Sequence, residues 1–228
     1  MSGEIQTIAA ARSLRGKRSV FIGVGRPSTA AILARMVHNP DLVLFYESGT
    51  IGAKPHRVPL SIGDDELAET ADAVVSVAEM FNYWIGPGRV EVAFLGAAQV
   101  DRHADLNSTV IGDYAGPRTR LPGAGGAPEI ALGCPEVVVI APHSPRTFVE
   151  RLDFKTTSGA HTTAVITDLG VLEPRDGELT LTAVHPGVSV ERVREATGWE
   201  LRVAGSVATT EEPTDEELAA LRELVARG

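Results

Sequence analysis

Apolar residues recur at helical spacing near the start of the chain, where Ile5, Ile8, Ala9, Ala11 and Leu14 fall on one face and Gly16 closes the segment. The pattern then changes. Ser19-Val20-Phe21-Ile22-Gly23 is a short apolar run of the kind a buried strand leaves, and it enters the turn Gly23-Val24-Gly25-Arg26-Pro27-Ser28. Ser28 is the expected N-cap of a helix reaching about Val37. Leu42–Tyr46 is the next strand. Strand, helix and strand in this order predict a parallel pair joined by a right-handed crossover.

Farther along, Glu66–Ala71 and Ala78–Trp84 read as helices, the second closed by Gly86-Pro87-Gly88, and Val90–Leu95 and Val137–Ile140 read as strands. Between those strands lies a glycine-rich, polar stretch from Gly96 to Gly126. A loop-rich segment of that length in a compact domain is usually functional. Val165–Asp168 and Leu179–Val184 are later strands, and the alternation of apolar residues with Thr in the second predicts a sheet edge or one solvated face. Ser189–Thr197 and Asp215–Arg227 are expected helices, the last capped by Thr214. No repeat or clean linker interrupts the chain, so the expectation is one α/β domain over residues 1–228, built on a single open, largely parallel sheet flanked by helices.

Composition narrows the partners. The chain has 30 acidic against 21 basic residues, a formal net charge of −9, which disfavours nucleic acid or an anionic membrane as main partner. Apolar content is 43% with only 5% aromatic, so the core must be aliphatic. Cys134 is the single cysteine, which rules out an internal disulfide and fits a reducing cytoplasm; its place in Leu132-Gly133-Cys134-Pro135, ahead of a buried strand, reads as structural. The six His are scattered without a ligand spacing, so no metal is expected. Gly23 and Gly25 lack the third glycine of a dinucleotide fingerprint, since Ser28 stands there. With neither a basic-then-apolar leader nor a span of about 20 apolar residues, a cytoplasmic protein is expected.

The candidate chemistry starts at Tyr46-Glu47-Ser48-Gly49-Thr50-Ile51-Gly52, directly after the strand Leu42–Phe45. A carboxylate at a strand end, followed by glycines that let backbone approach a ligand, suggests a catalytic glutamate. The pattern leaves its role open among base, acid, metal ligand and nucleophile, with a strand-end salt bridge as the plain alternative.

Other segments bear on that choice. Val20-Phe21-Ile22-Gly23-Val24-Gly25, the Glu47-Ser48-Gly49 turn, Phe94-Leu95-Gly96-Ala97-Ala98-Gln99 with Asn107-Ser108-Thr109-Val110-Ile111-Gly112-Asp113-Tyr114, and Leu121-Pro122-Gly123-Ala124-Gly125-Gly126-Ala127-Pro128-Glu129-Ile130-Ala131 occur in the order and spacing of a known family. From about Thr7 to the C-terminal helix the chain resembles the beta subunit of class I coenzyme A transferases, in the branch that acts on glutaconate and 3-oxoadipate. The resemblance implies the CoA-transferase beta-subunit fold and an alpha subunit as partner in a hetero-oligomer. It also implies a coenzyme A thioester as substrate rather than as a permanently bound cofactor, with a dicarboxylate acceptor. The nucleophile of that family falls on Glu47 alone, where it forms an acyl anhydride and then a glutamyl–CoA thioester. Succinyl-CoA and 3-oxoadipate are the expected pair; hydrolysis or C–C cleavage of the retro-Claisen type on the same scaffold is the alternative.

That chemistry gives the glycine segments a task. Small residues with free N–H groups at Gly96, Ala97, Gly123, Gly125 and Gly126 suit the oxyanion formed when a carboxylate attacks a thioester, each well-placed donor contributing roughly 3 kcal/mol. Gln99 closes the first of these segments and is counted with it, and Asn107 could donate a side-chain amide to the oxyanion or to substrate, with a satisfied loop amide as the plain alternative. Lys54, His56, Arg57, Arg118 and Arg120 supply local positive charge near the motifs. The chain departs from the family between Phe154 and Ile166, where Lys155–Thr163 replaces a longer glycine-rich insertion; if that loop shapes the acyl pocket, the acceptor differs from 3-oxoadipate.

Overall fold

In the computed structural model, which describes residues 2–23 and 25–227, the opening elements are α1 (Ser2–Arg12), β1 (Ser19–Ile22), α2 (Arg26–Val37) and β2 (Val43–Tyr46). Val24, in the turn expected at 23–28, lies outside the described residues. The helix begins two residues before the Ser28 cap that the sequence suggests, because Pro27 sits in its first turn, where a missing N–H costs nothing. Ser28 is instead fully buried, with its Oγ 3.0 Å from the Tyr46 hydroxyl. The chain continues through β3 (Thr50–Ile51), α3 (Asp65–Glu69), β4 (Ala73–Val74) and α4 (Val77–Glu79). The helix expected at 78–84 is mostly a π-turn, Met80–Ile85, in which the Gly86 N–H reaches back five residues to the Phe81 carbonyl at 2.8 Å.

Next come β5 (Val92–Leu95), β6 (Gln99–Val100), β7 (Leu106–Asn107), β8 (Val110–Ile111), β9 (Thr119–Arg120) and α5 (Ala127–Gly133). The stretch 96–126 is thus a pair of small antiparallel ladders, β6 with β7 and β8 with β9. The chain ends with β10 (Glu136–Ile140), β11 (Thr162–Ile166), β12 (Gly170–Arg175), β13 (Glu178–Val184), α6 (Val190–Glu195), β14 (Arg202–Thr209) and α7 (Asp215–Ala226).

Ten strands form one sheet in the order β14-β13-β12-β11-β10-β5-β1-β2-β3-β4. Its centre, β11 through β2, is parallel, as the βαβ opening predicts. Antiparallel pairs flank the centre on both sides, and β14 returns parallel to β13. The central strands read as unbroken apolar runs because both faces are covered. Val20, Ile22, Leu44 and Tyr46 face α1, α2 and α7, whereas Phe21, Phe45 and Ala93 join Ile85 and Ile130 on the other face.

The sequence points to an edge or solvated face at β13, and the structure overturns both. β14 covers its outer side, and Thr180 and Thr182 are 6% and 9% exposed. Their hydroxyls donate to the carbonyls of Glu178 and Val171, which is how a buried threonine mimics an apolar residue. The hairpin from β12 to β13 turns on Asp176-Gly177, with φ of 51° and 80°, the left-handed pair that a tight two-residue turn requires.

Candidate active site

The site begins where β2 ends. Burial pushes the Tyr46 phenol up to about 12, and its hydrogen bond to Ser28 fixes the last residue of the strand. Glu47 and Ser48 then form a turn closed by the Gly49 N–H on the Tyr46 carbonyl at 3.0 Å. Gly49 has φ 103°, and a Cβ there would fall 2.0 Å from the Val75 carbonyl oxygen. Only glycine lets the segment after β4 close over this turn, where the Val75 N–H donates to Gly49 O at 2.9 Å. Ser48 Oγ and Thr50 Oγ1 are buried beside it without a hydrogen-bond partner among the described residues.

Glu47 is half-buried and projects into a cleft of about 220 Å³ that it shares with Phe21, Pro27, Phe94, Gly96, Ala124 and Gly126. Among the described residues no hydrogen bond or ion pair engages its carboxylate. The glycine loop ahead of α5 stands beside it: a Cβ placed on Gly126 would lie 3.1 Å from Glu47 Oε1, and one on Gly125 would lie 3.9 Å from the same oxygen. The N–H groups of Ala124, Gly125 and Gly126 donate to no acceptor among the described residues, so three backbone donors stand beside an unpaired carboxylate. That arrangement is suited to a nucleophilic carboxylate with oxyanion donors at hand.

The remaining candidates divide. Gly96 lines the cleft, while Ala97 packs against the apolar core beside it. Gly123 is committed to the loop, its N–H on Ser108 O and its carbonyl accepting from Ser108 Oγ. Gln99 and Asn107 are not free amides. Asn107 is fully buried; its amide donates to Gln99 Oε1 and to Val110 O, both at 2.7 Å, and its Oδ1 accepts from the Thr109 N–H. Gln99 donates to Asp153 and accepts from the Asp153 N–H. Both side chains join β6, β7 and Asp153 and so frame the loop: Asn107 has both amide hydrogens engaged and offers no donor to substrate, whereas Gln99 keeps one amide hydrogen beyond its bond to Asp153.

The basic residues divide as well. Lys54 pairs with Asp72 and Arg57 forms a two-pronged bridge with Asp64 at 2.9 Å, so these two charges are neutralised by neighbours, and the His56 ring lies against the Glu66 carboxylate. Glu66 is correspondingly tied down, accepting from the His56 N–H at 2.7 Å and facing Arg57 Nε at 3.4 Å. Arg120 stacks over the exposed Tyr114. The Lys155–Thr163 segment braces the long loop, with Thr156 on Ser108 and Thr109, Lys155 on Asp105 and the Gly159 N–H on Asp105, and it does not line the Glu47 cleft. Phe154, beside it, lies in a bend and stacks on Tyr114.

Sequence reasoning missed Phe21, Pro27 and Phe94 as walls of the cleft, and Phe81, whose ring presses on Gly126. Burial pushes the Cys134 thiol up to about 12, which leaves it unreactive. Among the described residues no group of three or more His, Cys, Asp and Glu could hold a metal, and no helix is long and apolar enough to cross a membrane.

Four likenesses bear on this geometry. A family model described as Coenzyme A transferase matches residues 4–196. The chain is 52% identical to the beta subunit of 3-oxoadipate CoA-transferase of Pseudomonas knackmussii, over 99% of this chain and 94% of that protein. It is 30% identical to the beta subunit of glutaconate CoA-transferase of Acidaminococcus fermentans, over 90% and 85%. The crystal structure of glutaconate coenzyme A-transferase from the same organism matches with a TM-score of 0.92 at 28% identity, covering 99% of this chain and 94% of that one.

Proposed function

The chain belongs to the coenzyme A transferase family, and on that premise we propose that it is the beta subunit of a two-subunit acyl-CoA:carboxylate CoA-transferase, with Glu47 as nucleophile, succinyl-CoA as donor and 3-oxoadipate as acceptor. The relatives in this branch are themselves beta subunits, so an alpha subunit completes the enzyme.

A Glu47 oxygen attacks the thioester carbonyl; the C–S bond breaks, leaving a mixed anhydride and CoA thiolate. The thiolate attacks the Glu47 carbonyl of that anhydride, releases succinate and forms a glutamyl–CoA thioester. A carboxylate of the acceptor attacks this thioester to give a new anhydride, and the thiolate then takes the new acyl group, regenerating Glu47. A carboxylate nucleophile suits this cycle because an anhydride stays activated for return attack. The Ala124, Gly125 and Gly126 N–H groups offset the charge on the tetrahedral oxygens. Among the described residues no side-chain base other than Glu47 lines the cleft to activate water.

The observation that carries this reading is the Glu47 carboxylate at a cleft beside three backbone donors, all without a partner among the described residues. The test uses the complex with the alpha subunit. Succinyl-CoA should lose CoA far faster with a dicarboxylate present than in buffer, and double-reciprocal plots should be parallel. Borohydride should trap the thioester at Glu47 alone. Equal CoA release with and without every dicarboxylate would instead establish a hydrolase.

A further inference from the structure

Glu47 presents a problem of position. A nucleophile must be held to within a fraction of an ångström, yet no hydrogen bond or ion pair among the described residues holds this carboxylate. Packing must do it, and the packing is unusual at one point. An ideal Cβ on Gly126 would lie 2.4 Å from Phe81 Cζ, 2.7 Å from Phe81 Cε1 and 3.1 Å from Glu47 Oε1. The ring edge and the carboxylate therefore converge on one hydrogen of Gly126. The backbone does not demand glycine there, since Gly126 has φ −88° and ψ 4°. Space demands it.

Phe81 owes its place to the π-turn Met80–Ile85, which inserts a residue into the helical spacing; such turns occur often at functional sites. The same turn is tied to the strand that carries Glu47, because Trp84 packs on Phe45 with ring centroids 5.4 Å apart. One side of the turn thus grips β2 and the other abuts Gly126.

We propose that Phe81 is a positioning residue for this reaction: its ring edge, set by the π-turn and packed on Gly126, fixes where the Glu47 carboxylate stands. The proposal rests on Glu47 being the nucleophile. Phe81 is not among the residues that line the cleft, and its role runs through Gly126 and Glu47.

The experiment compares single and double variants of the complex with the alpha subunit. Phe81→Leu removes Cζ and Cε1 while keeping bulk, and should lower kcat about tenfold with KM for succinyl-CoA little changed. Phe81→Tyr adds a hydroxyl at Cζ, the atom nearest Gly126, and should lower kcat by about 100-fold, although it is the milder change for a residue that merely fills a core. Gly126→Ala should cost about as much as Phe81→Tyr, and Phe81→Leu combined with Gly126→Ala should recover most of that loss, because the new Cβ occupies the space the ring vacated. A Phe81→Tyr variant with wild-type kcat, or a double variant no better than the product of its singles, overturns the proposal. Should Gly126→Ala fail to fold, the order of Phe81→Leu over Phe81→Tyr in kcat decides alone. A transferase whose Glu47→Ala variant stays active refutes the assignment of the nucleophile instead, and the two failures are distinguishable.

Discussion

Glu47 and Glu217 are two carboxylates held in opposite ways. Glu217, on α7, is 1% exposed, caps its own helix through the Thr214 N–H, and accepts from Arg12 Nε and Nη2 at 2.7 and 2.6 Å. Burial alone would raise its carboxyl, but the bonds to Arg12 and Thr214 outweigh it and hold the group at about 2. Glu47, half-buried at the end of β2, has no such partner among the described residues. The first binds α1 to α7 and is chemically spent; the second is left available and is located by packing. A carboxylate surrounded by donors is a poor nucleophile, so the fold concentrates its ion pairs away from the cleft.

The sharpest way to break this comparison is to remove each carboxylate's function. Glu47→Ala should lower transferase activity by at least about 10⁴-fold, with the circular dichroism spectrum and melting midpoint of the wild type. Arg12→Ala should do the reverse. It removes two charge-assisted bonds from a buried carboxylate that keeps the Thr214 N–H and, at 3.9 Å, Arg15, and should cost about 1.5–3 kcal/mol in urea denaturation, while activity per folded molecule is retained.

Acid should separate the two regions further. His143 stacks on Phe148 with centroids 3.9 Å apart, its ring nitrogens on Thr167 and Thr197, and burial lowers it to about 4 from an ordinary 6.5. The unfolded chain takes up a proton that the folded chain refuses, so stability is intact above about pH 6.5 and falls by up to about 3 kcal/mol as pH drops to about 4. Glu217 adds a second loss. Its contribution is complete above its ordinary 4.5 and disappears as pH falls toward 2. A urea midpoint series across pH should show the first fall flattened in His143→Gln.

Smaller effects probe the loop. Asn107→Ala leaves Gln99 Oε1 without its Asn107 donor and Val110 O unpaired, and should cost about 1–3 kcal/mol of stability. If it instead lowers kcat in a fully folded protein, Asn107 regains the substrate role that its geometry argues against. Cys134, with its raised thiol, should resist alkylation in the native protein and react only after unfolding, and Cys134→Ala should leave turnover unchanged.

Local pattern determined a definite part of this protein. The apolar runs at 19–22 and 43–46 with a helix between them specify the parallel centre of the sheet, because strands buried on both faces must be apolar throughout. The strand-end position of Glu47 and the Thr214–Glu217 capping box are equally local, since each depends on residues within a few positions. Tertiary structure decided the rest. β12 and β14 exist because β13 has neighbours to pair with, and the Thr alternation of β13 could not report a cover supplied by residues 202–209. Asn107 reads as a donor for substrate until Gln99, Val110 and Thr109 are brought around it. Phe81 carries no signal at all, for its meaning lies in meeting Gly126 and Glu47 at one point. Periodicity records whether a side chain is buried; which distant residue it is buried against is settled only when the chain closes on itself.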